Sequence, residues 1–197
     1  LHQENCEGIV VDLRGNTGGY MGAAVQMVNE FLPKGQLIVY TEGRKATREN
    51  YFSNGTGSSQ EIPVIVLVDE GSASASEIFA GAIQDNDRGT IIGRRSFGKG
   101  LVQEQFAFED GSAVNLTVAR YYTPLGRSIQ KPYQKGFKAY QKEIEERLNK
   151  GELTAENEKV DSLISTMPHI NKDGKKVFAG GGIQPDIYVK LDTLGFT

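Results

Sequence analysis

The sequence predicts an α/β domain whose core is a parallel sheet with helices packed against it. Strand-like apolar segments alternate with helix-like segments from residue 8 to residue 92, an order typical of parallel sheets. The chain has 197 residues, 38% of them hydrophobic, which suits one domain with its own core. Its 24 glycines, about 12% against a usual share of about 7%, indicate sharp turns and close backbone approaches.

The first strands and helix of this core follow in order from the start of the chain. Residues 8–13 predict a short buried strand, and a glycine-rich loop follows at 14–19. Apolar positions spaced by three and four predict a helix over 21–32. Residues 36–41 predict another strand, and the polar stretch 42–61 predicts an exposed excursion.

The middle of the chain again predicts a strand, a helix and a strand. The β-branched run 63–68, opened by a proline, is the clearest buried strand. Residues 71–77 turn into a second helix, and 90–92 form a short strand. The apolar face of that helix is predicted to consist of Ile78, Phe79, Ala82 and Ile83.

The second half predicts a β-hairpin and a charged extension. Residues 101–108 and 112–119 alternate apolar with polar side chains around Asp110-Gly111, a strong hairpin signal. Residues 121–127 predict a turn. The lysine- and glutamate-rich stretch 135–166 predicts a solvated helical pair or lid, and a last strand covers 187–189.

Composition excludes several classes of protein. Lysine and arginine number 22 against 25 aspartates and glutamates, so no basic face for nucleic acid is expected. One cysteine, Cys6, and two distant histidines, His2 and His169, argue against an internal disulfide framework and a clustered metal site. The longest strongly apolar run has about six residues, too few to span a membrane.

Three serines at 72, 74 and 76 are the first candidate for chemistry. They follow a buried strand and precede a helix, whose N-terminus offers free backbone N–H groups beside a serine hydroxyl. The alternative is structural, because Ser74 and Glu77 also have the spacing of a helix capping box.

The glycine-flanked Lys99 is the second candidate. Residues 93–100 resemble a phosphate-binding loop, but Gly100 replaces the hydroxyl that holds magnesium, and a strand pattern follows instead of a helix. Most lysines are solvated surface groups, yet the glycines on both sides suggest that this one points inward.

These candidates combine into a serine nucleophile with a lysine base. A serine nucleophile needs a base, and neither histidine lies in a loop of the predicted core. An uncharged lysine is a known substitute, and burial in an apolar pocket disfavours its charged form. Gln103 lies four positions after Lys99, on the same face of the predicted strand, where it can orient the amine. The loop 14–19 reads either as a simple turn or as an anion-binding turn.

Five blocks of the sequence together resemble the C-terminal processing peptidases, or tail-specific proteases. They occur in that family's order and are residues 12–19, 71–77, 96–103, 122–129 and 181–186. The resemblance implies a crotonase/ClpP-like α/β core with parallel strands and helices. It also implies a serine endopeptidase that uses an acyl-enzyme and needs neither metal nor cofactor.

The resemblance assigns roles to particular residues. Ser74 falls on the nucleophile, Lys99 on the base and Gln103 on the residue that supports the base. The oxyanion site falls on the backbone N–H of Ala75 and on that of Gly18 or Gly19. Rival interpretations are a catalytically inactive, protease-like module that binds ligands, an acyl-CoA enzyme of the same fold, and a structural or assembly role with 135–166 as an interaction lid.

The resemblance also sets expectations for the whole protein. Residues 1–134 and 167–197 are expected to form the catalytic core, with 135–166 as an insertion or lid. Members of the family usually carry a PDZ domain before the core, so this chain is expected to be the C-terminal portion of a longer protein. Substrates would be proteins with exposed C-terminal tails, cleaved in the bacterial periplasm or at the cell envelope.

Overall fold

A computed structural model describes residues 6–133, 136–154 and 168–192. Its strands are β1 (Ile9–Asp12), β2 (Leu37–Glu42), β3 (Glu49–Phe52), β4 (Val64–Val68), β5 (Thr90–Gly93), β6 (Leu101–Ala107), β7 (Ala113–Tyr122), β8 (His169–Ile170), β9 (Lys176–Val177) and β10 (Ile187–Tyr188). Its helices are α1 (Met21–Asn29), α2 (Ala75–Asp85) and α3 (Phe137–Asn149).

The predicted parallel α/β sheet is confirmed. Its order is β1-β4-β5-β10, and each neighbouring pair runs parallel. Helices α1 and α2 pack against each other, and Phe31 meets Phe79 edge to face with ring centroids 5.7 Å apart. The carboxyl ends of β1 and β4 lie side by side, with Asp12 opposite Leu67, so the loops that follow these strands meet at one edge of the sheet.

Helix α2 differs from the one-sided amphipathic helix that its sequence predicts. Every residue from Ala75 to Asp85 is buried, including the polar Glu77 and Gln84. The helix is covered on all sides because α1, β2 and β5 contact it and the segment around Ile183 lies beside its Gly81. Buried polar groups on such a helix need partners within the protein, and those of Glu77 organise the candidate active site.

A second, antiparallel sheet has the order β3-β2-β7-β6. The expectation that 42–61 is only an excursion is wrong, because β3 pairs with β2 inside it. The predicted hairpin is present as β6 and β7, and β7 extends through Tyr122 into the predicted turn. The outer part of the hairpin, residues 103–117, is exposed on both faces, whereas its base lies beside the core.

The charged stretch forms helix α3 and the turn at 150–154, and its part at 155–166 lies outside the described residues. The expectation of a solvated segment is wrong for three of its described residues, since Arg147, Glu152 and Leu153 are buried. None of the described helices is long and apolar enough to cross a membrane. Within the described part of the chain, no three His, Cys, Asp or Glu side chains group as metal ligands would.

Candidate active site

Ser74 stands at the turn that leads from β4 into α2. It precedes the first residue of the helix and has φ 56° and ψ −115°, a backbone conformation that non-glycine residues rarely adopt. Its side chain is half-buried and lines a cleft of about 290 Å³. Strained backbone of this kind is concentrated at functional sites, where the surrounding structure holds it in place.

The other two serines of the run are committed to the fold. Ser72 is fully buried, and its hydroxyl donates to the Leu13 carbonyl at 2.7 Å. The Ser76 hydroxyl is also buried and donates to the Asn16 carbonyl at 3.0 Å. Both bonds tie the turn to the loop after β1. Of the three serines, Ser74 is therefore the one whose side chain faces the cleft.

Glu77 joins the turn at Ser74 to the loop at Lys99. Its Oε2 accepts the backbone N–H of Ser74 at 2.9 Å and that of Lys99 at 2.8 Å. Its Oε1 accepts the Ser96 hydroxyl at 2.5 Å and the Gly98 N–H at 2.7 Å. Burial raises the pKa of this carboxyl above its ordinary value, and these four hydrogen bonds oppose the rise. The capping interaction predicted for Glu77 therefore forms part of a larger junction.

Lys99 lines the same cleft. It is half-buried, and its neighbours Leu101 and Val102 line the cleft with it. Its backbone is held at both ends, because the N–H donates to Glu77 and the carbonyl accepts from the Tyr121 hydroxyl. The Tyr121 hydroxyl also reaches the Ser74 carbonyl at 3.0 Å. Burial raises the pKa of Tyr121 well above its ordinary value, so the hydroxyl stays protonated and can donate.

Gln103 lies on β6 and lines the cleft together with Lys99 and Ser74. The pairing of β6 with β7 shifts register between Val102 and Gln103, at the mouth of the cleft. Gln103 is exposed. The structure thus brings it to the edge of the site rather than to its interior.

The loop after β1 completes the cleft. Gly19 and Tyr20 line it, and Ala75 faces them from the first position of α2. Gly18 has φ +92°, and its N–H donates to the Asn16 side chain at 2.9 Å. A Cβ on Gly18 would lie 2.5 Å from the Ala73 carbonyl oxygen, 2.7 Å from the Ala75 nitrogen and 2.8 Å from the Ser74 Cβ. The loop can therefore lie against the turn at Ser74 because residue 18 has no side chain.

A second cavity of about 170 Å³ opens beside the cleft and is mainly apolar. It lies between α1 and α2 and shares Gly19, Tyr20 and Ala75 with the cleft. The remaining lining residues are Leu13, Asn16, Gly18, Ala23, Ala24, Met27, Ser76 and Phe79.

Comparison with known proteins identifies the family to which this chain belongs. The sequence pattern of peptidase family S41 matches residues 1–138. The chain belongs to peptidase family S41. Over 131 residues it is 44% identical to the carboxyl-terminal-processing protease of Synechocystis, and over 128 residues 49% identical to the carboxy-terminal-processing protease of Bartonella bacilliformis. These alignments cover 66% and 64% of the chain.

A solved structure of the photosystem II D1 C-terminal processing protease has a similar fold to this S41 chain. The two superpose with a TM-score of 0.66 and 29% sequence identity, over 98% of this chain and 37% of the other. The matches to the two curated relatives span 30% and 29% of their lengths. A peptidase structure from Parabacteroides merdae, 18% identical with a TM-score of 0.55, shares the fold.

Sequence reasoning missed Tyr121 and the full role of Glu77 in this S41 chain. The sequence predicts a turn that starts at Tyr121, whereas this residue lies within β7 and its hydroxyl bridges the turn at Ser74 and the loop at Lys99. A tyrosine in an alternating strand gives no sign of which carbonyls it reaches. For Glu77, its capping-box spacing was a usable signal, but the contact with Lys99 joins residues 22 positions apart.

The close approach at Gly18 gives a testable consequence for the S41 site. Gly18→Ala is expected to displace the loop from the turn at Ser74 and to lower kcat by about 10²-fold, the cost typical of misplacing catalytic groups by about 1 Å. Gly22→Ala is the matched control, because an added Cβ there meets nothing within 4 Å. Steady-state kinetics on one peptide substrate compare the two variants. Equal activity of both would show that the close approach at residue 18 is not required.

Proposed function

We propose that this chain carries the catalytic centre of a serine endopeptidase that works through a Ser74–Lys99 dyad. The observation that carries the proposal is that Ser74 and Lys99 line one cleft while the neighbouring serines are bonded into the fold. Membership of family S41 supports the same reaction class. Among the described residues, no carboxylate lies within ion-pair distance of the Lys99 amine.

The proposed reaction has two halves. In the first, uncharged Lys99 takes the Ser74 proton while Ser74 Oγ attacks the carbonyl carbon of the scissile peptide bond. The tetrahedral intermediate collapses when the C–N bond breaks, and Lys99 gives its proton to the leaving amine. In the second half, Lys99 takes a proton from water, the resulting hydroxide attacks the acyl ester, and Ser74 regains its proton as it leaves.

The backbone N–H groups of Ala75 and Gly19 are the proposed oxyanion donors. Sequence reasoning left Gly18 and Gly19 open, and the structure favours Gly19 because the Gly18 N–H is occupied by the Asn16 side chain. Gly19 lines the cleft opposite Ala75. Removing one such donor typically costs about 3–4 kcal/mol of transition-state stabilisation.

Gln103 is proposed to support Lys99 from the cleft edge. Its place beside Lys99 in the cleft lining is consistent with that role. An amide oxygen there can accept a hydrogen bond from the lysine amine, leaving the nitrogen lone pair directed at Ser74.

Protein substrates with exposed C-terminal tails are the proposed targets. The support is that several relatives are named carboxyl-terminal-processing proteases and that the five sequence blocks resemble that group. The mainly apolar cavity beside Ser74 is suited to an apolar side chain next to the scissile bond. A PDZ domain elsewhere in the whole protein and action in the periplasm or at the cell envelope are proposed on the same resemblance.

Covalent labelling tests the nucleophile directly. A fluorophosphonate probe should form an adduct that mass spectrometry assigns to Ser74, and the adduct should be absent in Ser74→Ala. Ser112 is an internal control, because it is exposed at the hairpin tip and its hydroxyl donates to Asp110 at 2.6 Å. A folded protein that cleaves peptides while Ser74 remains unlabelled would contradict the proposal. Peptide binding without labelling or cleavage would instead indicate an inactive binding module.

A further inference from the structure

We propose that Arg147 and Glu152, on the charged segment after the hairpin, are positioning residues that hold the Lys99 loop in its working geometry. This inference rests on the proposed role of Lys99 as the base. Both residues lie beyond residues 1–138, the part that matches family S41. Several contacts join the charged segment to the loop 94–99.

Arg147 bonds directly to the backbone of that loop. Its Nη2 donates to the Arg95 carbonyl at 2.7 Å and its Nη1 donates to the Ser96 carbonyl at 3.2 Å. The guanidinium is 2% exposed, so these bonds are made away from solvent. A planar guanidinium presents several donors in a fixed fork, and it therefore fixes the orientation of two consecutive carbonyls.

Glu152 holds both arginines in place. Its Oε1 accepts from Arg147 Nε at 3.0 Å and from Arg95 Nε at 2.7 Å, and its Oε2 accepts from Arg95 Nη2 at 2.8 Å. The turn that carries Glu152 is itself anchored, since its carbonyl accepts from the Tyr188 hydroxyl at 2.7 Å. The ion pairs are therefore fixed to the strand β10 of the parallel sheet.

The loop 94–99 connects Arg147 to the proposed catalytic residues Ser74 and Lys99. Ser96, whose carbonyl accepts from Arg147, donates its hydroxyl to Glu77. The same carboxylate holds the backbone N–H groups of Ser74 and Lys99. Arg147 is thus connected to Ser74 and Lys99 through Ser96 and Glu77.

A second contact from α3 reaches the other side of the loop. Lys131 Nζ lies 3.7 Å from the centre of the Phe97 ring and 4.4 Å from that of Tyr140 on α3. It also pairs with Glu143 of α3 at 3.1 Å. The segment between Ser96 and Lys99 is consequently held from both sides by groups that involve α3.

This pattern favours a positioning role over a purely stabilising one. A buried ion pair gives little net stability compared with well-packed apolar side chains, because both charges lose their hydration. What such a group supplies is fixed geometry at its hydrogen-bond partners. Here those partners are the two carbonyls that lie three and four residues before Lys99.

The test uses Arg147→Met, Arg147→Lys and Glu152→Gln in the whole protein. Arg147→Met is expected to lower kcat by about 10- to 100-fold, because the base loses its alignment while the remaining cleft is unchanged. KM should change much less than kcat. Arg147→Lys keeps the charge but not the fork and should fall between wild type and Arg147→Met. Lys142→Met is the matched control, since Lys142 lies exposed on the same helix.

Two further measurements separate positioning from folding. The pH dependence of the acylation rate should shift in Arg147→Met and Glu152→Gln but not in Lys142→Met, because the surroundings of the base change. Hydrogen exchange at the Gly98 and Lys99 amides should accelerate in the same two variants, while exchange in β4 stays at the wild-type rate. If Arg147→Met does not fold, the milder Arg147→Lys and Glu152→Gln provide the same comparison.

Wild-type kcat and pH dependence in all three variants, with only a lower melting temperature, would overturn the inference. A fall in kcat that matches only the fraction unfolded would do the same. The proposed function has a separate test in the labelling of Ser74. If wild-type Ser74 is not labelled, the function proposal fails. The exchange rates at Gly98 and Lys99 would still test whether Arg147 and Glu152 hold the loop in place.

Discussion

Lys99→Met is expected to lower kcat by about 10⁴-fold while the protein stays folded, because a serine hydroxyl without a base is a weak nucleophile. Methionine keeps the unbranched stem but has no amine. The loop should hold its shape, since the backbone of residue 99 is fixed by Glu77 and Tyr121 rather than by its own side chain. Single-turnover acylation with a peptide ester and with a peptide amide measures the loss.

Lys99→Arg distinguishes a base from a positive charge. The guanidinium stays protonated at any pH of the assay, so it keeps the charge but cannot accept the Ser74 proton. The variant is therefore expected to be about as inactive as Lys99→Met. Lys45→Met serves as the control, because Lys45 lies exposed in the loop after β2. Activity of Lys99→Arg within tenfold of wild type would mean that charge, not proton transfer, is what residue 99 supplies.

The parallel sheet could be predicted because its physical cause is local. The continuous apolar, β-branched run at residues 64–68 favours a strand by itself. The expectation that the strands are buried is wrong for one face of the sheet, because Ile65 in β4 is 37% exposed and Val10 in β1 is 61% exposed. Strand β3 has no such signal. Its sequence Glu-Asn-Tyr-Phe is mostly exposed, and it is a strand because its backbone pairs with the edge of β2.

The buried charges could not be predicted, because their cause is not local. Arg127 is fully buried and paired with Asp85, 42 positions away in the sequence. Arg147 and Glu152 lie in a run of charged residues that is usually a solvated helix. Which of those charged side chains is buried depends on the backbone carbonyls of the distant loop 94–98 that are available to accept its hydrogen bonds.

The candidate site could be predicted from the sequence in part. Ser74 and Lys99 could be assigned through the resemblance of whole sequence blocks, and the structure places them in one cleft. Their individual roles stay predictions. The groups that hold them, Glu77 and Tyr121, could be placed only from the structure, because each contacts residues of two distant loops.

Glu77→Gln is expected to reduce both stability and activity, although it changes only one atom of the side chain. The amide has a single acceptor oxygen, so two of the four buried donors lose their acceptor and face an NH₂ group instead. Each unsatisfied buried donor costs about 1–3 kcal/mol, which predicts a loss of about 2–6 kcal/mol in the free energy of unfolding. Because Lys99 and Ser74 are held by one carboxylate oxygen, kcat should also fall by about 10²-fold.

Glu109→Gln is the control for this change, because Glu109 is exposed at the hairpin tip. Denaturant unfolding gives the stabilities of both variants, and kinetics below the unfolding transition gives their activities. A Glu77→Gln protein with wild-type kcat would show that the junction stabilises the fold without aligning the dyad.

The pH dependence of the stability of Glu77→Gln, compared with wild type, tests whether burial raises the pKa of Glu77. Burial raises the pKa of Glu77 above its ordinary value of 4.5, so the folded state holds this proton more tightly than the unfolded state. The stabilisation that this difference in pKa supplies is fully present at pH values below 4.5. It declines as the pH rises through the pKa of Glu77 in the folded state. Glutamine does not titrate, so the stability gap between wild type and Glu77→Gln should narrow as the pH rises through this range. A gap that widens would mean that the four hydrogen bonds outweigh burial and lower the pKa of this carboxyl instead.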